Sequence, residues 1–282
     1  YVSKPLTLRS ENGSENCIIQ AYSYEYVFHV TADRVNISGF VIKDGYYGIL
    51  LDEVESCYIA NNNVSNNYVG IWLAVSSNNN ITGNSVSGNE YGIYLKYSSN
   101  NNITGNNISN NGDGIWLYSS SNNNITGNNI PNKGYGISGG SSNNITGNNI
   151  LNNGYGISGG SSNNIANNNI LNNGYGIYYS SSNNIANNNI SNNRYDGIYC
   201  SSNNNITGNN ILNNGYDGIY LERSSNNNIT GNSVSGNEYG IYLDYSSDNI
   251  IYLNNFINNT DNAESIGSRN VWNSPSQVTY TY

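Results

Sequence analysis

The chain has 282 residues, of which 36% are hydrophobic and only 10% are charged, with 31 Gly, 27 Tyr and no Met. Its formal net charge of −9 disfavours nucleic acid and anionic membrane surfaces as partners, because both require clustered Lys and Arg. Helix formers are scarce and no apolar run approaches a membrane span, so the composition argues against a helical or membrane-inserted protein.

Along the chain, residues 1–36 show only a degenerate form of the pattern that follows, and residues 37–257 repeat a unit of 20 to 23 residues. The unit reads N-N-I-T-G-N-N-I-x-N-N-x-Y-G-I-x-L-x-x-S-S, and such a period is typical of one solenoid turn. Its first Ile recurs at Ile37, Ile59, Ile81, Ile103, Ile125, Ile145, Ile165, Ile185, Ile206, Ile229 and Ile251.

Two further apolar positions follow in each unit, and polar residues flank all of them. The second position holds Ile42, Val64, Val86, Ile108, Ile130, Ile150, Ile170, Ile190, Ile211, Val234 and Phe256. The third holds Ile49, Ile71, Ile93, Ile115, Ile137, Ile157, Ile177, Ile198, Ile219 and Ile241. Each position predicts a short strand with one side chain turned inward.

Three inward positions per turn predict an all-β, right-handed, single-stranded parallel β-helix with three short parallel sheets. Helical spacing and the Leu-x-x-Leu-x-Leu frame of leucine-rich repeats are both missing. We expect one domain over residues 1–282, with 11 to 12 coils, residues 258–282 forming an irregular C-terminal segment. At roughly 4.8 Å per coil, the rod would be about 55 Å long.

The turns contain a column of asparagines three residues after the first Ile. Stacked one coil apart, such amides can hydrogen-bond each to the next, which predicts a structural Asn ladder at one turn. Its members are Asn62, Asn84, Asn106, Asn128, Asn148, Asn168, Asn188, Asn209, Asn232 and Asn254. Three coils carry G-I-S-G-G-S-S or G-I-Y-Y-S-S-S, which is two residues shorter and should narrow the rod locally.

The repeat S-S-N-N-N-I-T-G-N-N-I-S-N-N-G and the opening K-P-L-T-L-R-S-E-N-G-S-E-N-C-I-I-Q (Lys4 to Gln20) resemble NosD-like parallel β-helix repeat proteins. The resemblance covers nearly the whole chain. It implies a pectin-lyase-like right-handed β-helix, similar to secreted cell-surface proteins of methanogenic archaea. The chain would then be part of a longer exported protein, located outside the cell.

The NosD name also implies copper delivery, and copper requires His, Cys or Met ligands. The chain offers only His29, Cys17, Cys57 and Cys200, which lie scattered in the sequence. We therefore predict no metal site and no cofactor. Cys17 and Cys57 should lie two coils apart, about 10 Å, which is too far for a disulfide.

Catalysis is the alternative that the acidic residues raise. Asp196 and Asp217 precede the Gly-Ile of adjacent coils, and Glu222 and Asp244 form a second adjacent pair. Paired carboxylates of this kind serve polysaccharide lyases and glycoside hydrolases. A second interpretation is that these carboxylates are ordinary solvated surface residues. A third is that they contact calcium or a glycan.

A column of outward aromatic residues follows the third Ile, at Trp72, Tyr94, Trp116, Tyr178, Tyr199, Tyr220 and Tyr242. A second column lies two residues before that Ile, at Tyr47, Tyr91, Tyr135, Tyr155, Tyr175 and Tyr239. Stacked rings can form a stiffening cover, a contact between copies of the chain, or a glycan-binding surface.

Sequons of the form N-x-S/T are frequent and would be candidate glycosylation sites in an exported protein. They lie at Asn12, Asn36, Asn63, Asn80, Asn102, Asn107, Asn124, Asn144, Asn189, Asn205, Asn228 and Asn258. Glycans on every coil would crowd one another, so at most a subset should be occupied. The sequence as a whole favours a non-catalytic extracellular module with a structural or adhesive role, whose partners are copies of itself or cell-surface glycans.

Overall fold

The computed structural model describes residues 1–13, 17–22 and 24–273. Within these residues all regular structure is β-strand, and the strands form three parallel sheets of 12 strands each. The predicted all-β parallel β-helix with three parallel sheets is therefore confirmed. None of the described residues belongs to a helix long and apolar enough to cross a membrane.

The first sheet carries the first Ile of each unit. Its strands are β1 (Thr7–Arg9), β4 (Asn36–Ser38), β7 (Tyr58–Ala60), β10 (Asn80–Thr82), β13 (Asn102–Thr104), β16 (Asn124–Thr126), β19 (Asn144–Thr146), β22 (Asn164–Ala166), β25 (Asn184–Ala186), β28 (Asn205–Thr207), β31 (Asn228–Thr230) and β34 (Ile250–Tyr252).

The second sheet carries the second apolar position. Its strands are β2 (Ile18–Gln20), β5 (Val41–Lys43), β8 (Asn63–Ser65), β11 (Ser85–Ser87), β14 (Asn107–Ser109), β17 (Asn129–Ile130), β20 (Asn149–Leu151), β23 (Asn169–Leu171), β26 (Asn189–Ser191), β29 (Asn210–Leu212), β32 (Ser233–Ser235) and β35 (Asn255–Ile257).

The third sheet has the longest strands and carries the third Ile. Its strands are β3 (Tyr26–Val30), β6 (Tyr47–Asp52), β9 (Val69–Ala74), β12 (Tyr91–Lys96), β15 (Asp113–Ser121), β18 (Tyr135–Ser141), β21 (Tyr155–Ser158), β24 (Tyr175–Ser180), β27 (Ile198–Cys200), β30 (Asp217–Glu222), β33 (Tyr239–Asp244) and β36 (Asp261–Ile266).

Matching positions of successive coils lie side by side, so each apolar column stacks on itself along the rod. Ile81, for example, pairs with Ile59 on one side and Ile103 on the other. The Ile and Val side chains of the three columns are almost completely buried, and only Phe256 in the last coil is partly exposed. The core is thus a continuous apolar column enclosed by the three sheets.

The predicted Asn ladder is confirmed. The Asn84 amide nitrogen donates to Asn106 Oδ1 at 3.0 Å and to the Ile59 carbonyl at 2.9 Å. Each ladder amide thereby donates to the Asn side chain of the next coil and to a backbone carbonyl of the previous coil. These hydrogen bonds offset the cost of burying the amide and the carbonyl.

Two further buried ladders were not predicted from the sequence. One begins at Asn67, whose amide donates to Asn89 Oδ1 at 3.1 Å, and the other begins at Asn79, whose amide donates to Asn101 Oδ1 at 3.2 Å. A column of buried serines lies in the same turn as the ladder that begins at Asn79. In this column the Ser76 N–H donates to Ser98 Oγ at 3.0 Å. All three turns of each coil are therefore built on stacked polar side chains.

The ends and the short coils depart from the regular repeat. The predicted degenerate coil contains β1, β2 and β3, each in register with the next coil. The third sheet extends through β36 in the segment predicted to be irregular, and residues 274–282 of that segment lie outside the described residues. In the first short coil Gly139 stands opposite the buried Leu117, with φ of +79° that suits glycine. This coil lacks the Leu side chain that the preceding coil buries at this position.

Candidate functional site

The outer face of the third sheet carries the aromatic columns, and we call it the aromatic strip. Its inward residues are buried Ile and Leu, so the alternate residues must point outward. Tyr94, between the buried Ile93 and Leu95, is half-buried because neighbouring rings cover it. The strip runs along the rod, and its two halves differ.

In the N-terminal half the rings surround an open cleft of about 380 Å³. We call it the aromatic cleft, and its lining residues are Tyr47, Tyr68, Val69, Trp72, Tyr91, Tyr94, Trp116 and Tyr118. The Trp72 and Tyr94 rings are parallel at 5.9 Å, whereas Tyr91 and Trp116 meet edge to face at 5.4 Å. Because the ring planes differ in direction, the cleft has both walls and a floor made of aromatic surface.

Three tyrosines of the cleft have raised pKa values. Burial, with smaller contributions from neighbouring tyrosines, raises the pKa of Tyr47 to about 12. Burial likewise raises the pKa of Tyr91 and of Tyr94. The cleft lining contains no Lys, Arg, Asp, Glu or His, so its surface is uncharged around neutral pH.

In the C-terminal half the rings contact one another and also acidic side chains. Tyr220 and Tyr242 stack at 5.4 Å with an interplanar angle of 13°. The Tyr199 hydroxyl donates to Glu222 Oε2 at 2.5 Å and also contacts the Tyr179 hydroxyl at 3.2 Å. Burial and these hydrogen bonds raise the pKa of Tyr199, so this half of the strip is held by its own contacts.

The four acidic residues divide into two pairs. Glu222 and Asp244 are opposite each other on β30 and β33 and are half-buried, with Glu222 already bound to Tyr199. Asp196 and Asp217 are only 6% and 7% exposed, so this pair is buried and not the solvated surface that the sequence favoured. The structure therefore separates the two pairs while keeping both on the outer side of the third sheet.

The buried pair lies in a second depression of about 340 Å³, which we call the acidic depression. Its lining consists of the carboxylates of Asp196, Asp217 and Glu238 and of the tyrosines Tyr216, Tyr220, Tyr239 and Tyr242. Asp196 Oδ1 accepts the Asp217 backbone N–H at 3.2 Å. Sequence reasoning missed the tyrosines at 216 and 239 as lining residues, although Tyr239 belongs to the second column.

Both carboxyls titrate far above their usual range. Burial raises the pKa of Asp196 to about 6, and the Asp217 N–H opposes that rise. Burial raises the pKa of Asp217 to about 8, with further contributions from the charges of Asp196, Glu238 and Glu264. The ion pairs within the described part of the chain, His29–Asp52 and Lys43–Asp44, do not involve these carboxyls.

The sequon asparagines of the first sheet form a ladder on its outer surface. The Asn124 amide donates to Asn102 Oδ1 at 2.9 Å, and the Asn144 amide donates to Asn124 Oδ1 at 2.9 Å. A glycan on such a nitrogen would replace a hydrogen of an amide that the ladder uses. Asn258 differs because it is exposed, in a left-handed turn with φ of +56°. The sequon at Asn12 extends to Ser14, which lies outside the described residues.

A family model described as periplasmic copper-binding protein (NosD) matches residues 6–158 and 140–282, so the chain belongs to the NosD family of β-helix proteins. None of the curated proteins compared with it matches its sequence. The family description places its members in the periplasm, which indicates an exported class of protein.

Several solved structures share the fold at low identity. The A-module of the mannuronan C-5 epimerase AlgE6 of Azotobacter vinelandii aligns with a TM-score of 0.70 and 13% identity, covering 96% of this chain and 84% of that one. A double mutant of the periplasmic alginate epimerase AlgG aligns with a TM-score of 0.62 and 19% identity, covering 85% of this chain and 76% of that one. The Dettilon tailspike protein aligns with a TM-score of 0.65 and 17% identity, covering 95% of this chain and 59% of that one. At such identities the likeness concerns the fold alone.

The copper chemistry in the family description does not fit the residues present. Within residues 1–13, 17–22 and 24–273, no three His, Cys, Asp or Glu side chains come together as metal ligands. Burial raises the pKa of the Cys200 thiol and that of the Cys57 thiol, which disfavours the thiolate forms that bind copper. His29 Nε2 lies 2.8 Å from Asp52 Oδ2, and no second soft ligand joins it.

Proposed function

We propose that this protein is an exported, non-catalytic module with an adhesive role, which binds polysaccharide in the aromatic cleft. The observation that carries the proposal is an open, uncharged cleft lined by Trp72, Trp116 and five tyrosines on an otherwise asparagine-covered rod. Aromatic rings on a rigid surface suit the apolar faces of sugar rings, and indole or phenol groups can also donate hydrogen bonds. We place the protein on the cell surface or outside the cell.

The dimensions of the cleft favour an extended ligand. Its rings from Tyr47 to Trp116 stand on the consecutive strands β6, β9, β12 and β15. At about 4.8 Å per coil this span is about 14 Å along the rod axis. Several sugar units can therefore lie on it at once, with each ring contact contributing on the order of 1 kcal/mol. A polymer benefits most, because the contacts act together.

The charge of the cleft favours an uncharged glycan. No Lys or Arg lines it, and the chain as a whole carries a formal charge of −9. A polyuronate would gain no ion pair in the cleft and would be repelled by the surrounding acidic surface. The alginate named in the descriptions of the epimerases is therefore a poor candidate for this chain.

No carboxyl group lines the cleft, and the nearest column neighbour, Asp113 opposite Tyr91, already accepts the Tyr135 N–H through Oδ1. Asp217, the carboxyl best poised to donate a proton, stands on β30, five strands along the sheet from Trp116 on β15. At about 4.8 Å per step this separation is about 24 Å, so it cannot act on a sugar held in the cleft. These positions support our proposal of binding without turnover.

A binding and turnover experiment tests the proposal. The purified chain would be run through gels containing neutral polysaccharides or alginate, and reducing sugars would be assayed in parallel. We expect retardation by a neutral polysaccharide, loss of retardation when Trp72 and Trp116 are both changed to Ser, and no reducing sugar. Tyr178 and Tyr199 changed to Ser form the matched control, because these rings lie on the same strip and line neither the aromatic cleft nor the depression that contains Asp196 and Asp217.

Equal retardation of the parent and the Trp72 and Trp116 variant would contradict the cleft as the binding site. Release of reducing ends by the parent would contradict the non-catalytic role and favour the polysaccharide-active alternative. Sedimentation of the same variants tests self-association, the other role open to the aromatic strip. Concentration-dependent association abolished by the Trp changes, without retardation in any gel, would show that the rings bind a second copy.

A further inference from the structure

A second site, independent of the aromatic cleft, arises from the acidic depression at the other end of the strip. Asp217 is 7% exposed and lines the depression, yet no side chain or backbone group of the described residues donates a hydrogen bond to its carboxyl. Its side chain is largely enclosed, but its carboxylate oxygens reach the depression, so a ligand there can contact them.

No cation within the described residues compensates the depression. The nearest candidate in sequence, Arg194, lies over the Tyr195 ring at 5.2 Å and forms no ion pair with Asp196. Asp196 and Glu238 add their charges beside Asp217, so the depression concentrates negative charge without a counter-ion. The charge pattern therefore calls for a positive ligand.

The remaining lining decides which kind of cation fits. Tyr220 and Tyr242 present ring surface and stack at 5.4 Å, and Tyr239 packs against Tyr242 at 5.2 Å. Calcium requires six to eight oxygen ligands, and the described residues provide no cluster of three or more metal-binding side chains here. An organic ammonium instead combines ion pairs with cation–π contacts to tyrosine rings.

We propose that the acidic depression binds a primary ammonium group through Asp196 and Asp217, with the tyrosine rings enclosing it. The ammonium belongs to an amino sugar or to a free or side-chain amine, and both sources present the same donor. The ammonium donates hydrogen bonds to the Asp217 carboxylate and to the free oxygen of Asp196. Glu238 supplies longer-range attraction from the rim.

Binding must displace a proton, because the empty site holds one near neutral pH. The ionisable groups facing Asp217 are Asp196, Glu238 and Tyr239 beside it and Glu264 on β36, and the carboxylates all favour its protonated form. An ammonium favours the ionised form. Affinity should therefore rise as pH increases from 6 to 8, approaching tenfold per pH unit, and fall where the amine loses its own proton.

Calorimetry with defined probes tests the site. The full chain would be titrated with cadaverine, with glucosamine oligomers, with N-acetylglucosamine oligomers and with calcium chloride, each at pH 6 and pH 8. We expect cadaverine to bind with proton release and at least tenfold more tightly at pH 8, and the N-acetylated oligomers and calcium to leave the site empty. The glucosamine oligomers should show a smaller change, because their amines lose protons over the same pH range. Equal affinity of both amine probes would assign a simple amine, and preference for the oligomer an amino sugar.

Asp217→Asn should weaken amine binding at least tenfold and abolish its pH dependence. Asp113→Asn is the matched control, because Asp113 occupies the same column but its Oδ1 already accepts the Tyr135 N–H at 2.9 Å. The proposal is overturned if neither amine binds, if binding is independent of pH, if Asp217→Asn binds like the parent, or if calcium or the N-acetylated oligomers compete. Because the pH series uses the parent chain, it stands even if the variant fails to fold.

Discussion

Removing one amide from a buried Asn ladder should destabilise the rod far more than removing one from the surface ladder of the same coil. Asn148 is 1% exposed, and its Oδ1 accepts both the backbone N–H and the amide of Asn128 at 3.0 Å. Its own amide donates to the Ile125 carbonyl at 2.8 Å and to Asn168 Oδ1 at 3.1 Å. Asn144 is exposed and exchanges bonds only with side chains of the outer ladder and with Thr146.

The magnitudes follow from these contacts. Asn148→Ala leaves the Asn128 N–H and the Ile125 carbonyl without the bonds that Asn148 supplied, in a site closed to water. At about 1 to 3 kcal/mol for each buried group left unsatisfied, the loss is about 2 to 6 kcal/mol. Asn144→Ala removes exposed bonds that water replaces, so its cost is at most about 1 kcal/mol.

Guanidinium unfolding followed by tyrosine and tryptophan fluorescence measures the difference. Because coils interact mainly with their neighbours, the Asn148 variant should also unfold in two stages that separate at the damaged coil. If the free energies of unfolding of the two variants agree within about 0.5 kcal/mol, the claim that the buried ladders stabilise the turns is refuted.

Three further predictions concern the core, the thiols and the acidic pair. Ile157→Asp should unfold the chain at a much lower temperature than Ser158→Asp, because only the first places an unpaired charge in the core; equal melting temperatures would mean reversed strand faces. Cys17 and Cys57 are free, so the intact mass should be identical before and after reduction, and a two-hydrogen shift would reveal a disulfide. Since the pKa of Asp217 is raised to about 8 in the folded chain, the folded state holds more protons than the unfolded one above about pH 4. The stability that this group contributes is therefore fully present below about pH 4 and is lost as pH rises to 8. Asp217→Asn should reduce the fall in melting temperature between these pH values. Parallel curves of melting temperature against pH for the parent and the variant would contradict the raised pKa of Asp217.

The sequence predicts the fold well because one apolar residue per strand sets the inward face and the period of two fixes its neighbours. The buried Ile103 and its polar neighbours Asn102 and Thr104 are enough to predict the three-residue strand that the structure shows. One buried ladder was predicted because its spacing from Ile is constant. The ladders that begin at Asn67 and Asn79 follow equally regular spacings, and the repeat unit contains that signal in its third and first Asn pairs.

The functional sites are predicted less well because they depend on ring orientation and burial. Sequence places Trp72 and Tyr220 in the same column, yet one lines a cleft without charged residues and the other lines a depression with three carboxylates. Likewise, Asp217 and Glu222 are both outward acidic residues of one strand, but only Asp217 is enclosed. Period-two alternation gives the side of the sheet, whereas the neighbouring coils decide how much of each side chain water reaches.

The architecture also explains why binding should concentrate on the third sheet. On the outer faces of the first and second sheets, asparagines such as Asn124 and Asn149 hydrogen-bond from coil to coil, so a change in one disturbs its neighbours. The corresponding outward positions of the third sheet form no such ladder, and they hold Trp, Tyr, Ser or Glu from coil to coil without breaking the turns. Stability rests on the buried columns and ladders, which leaves this one face free to vary. A ligand-binding surface can therefore change along the aromatic strip while the rod beneath it stays the same.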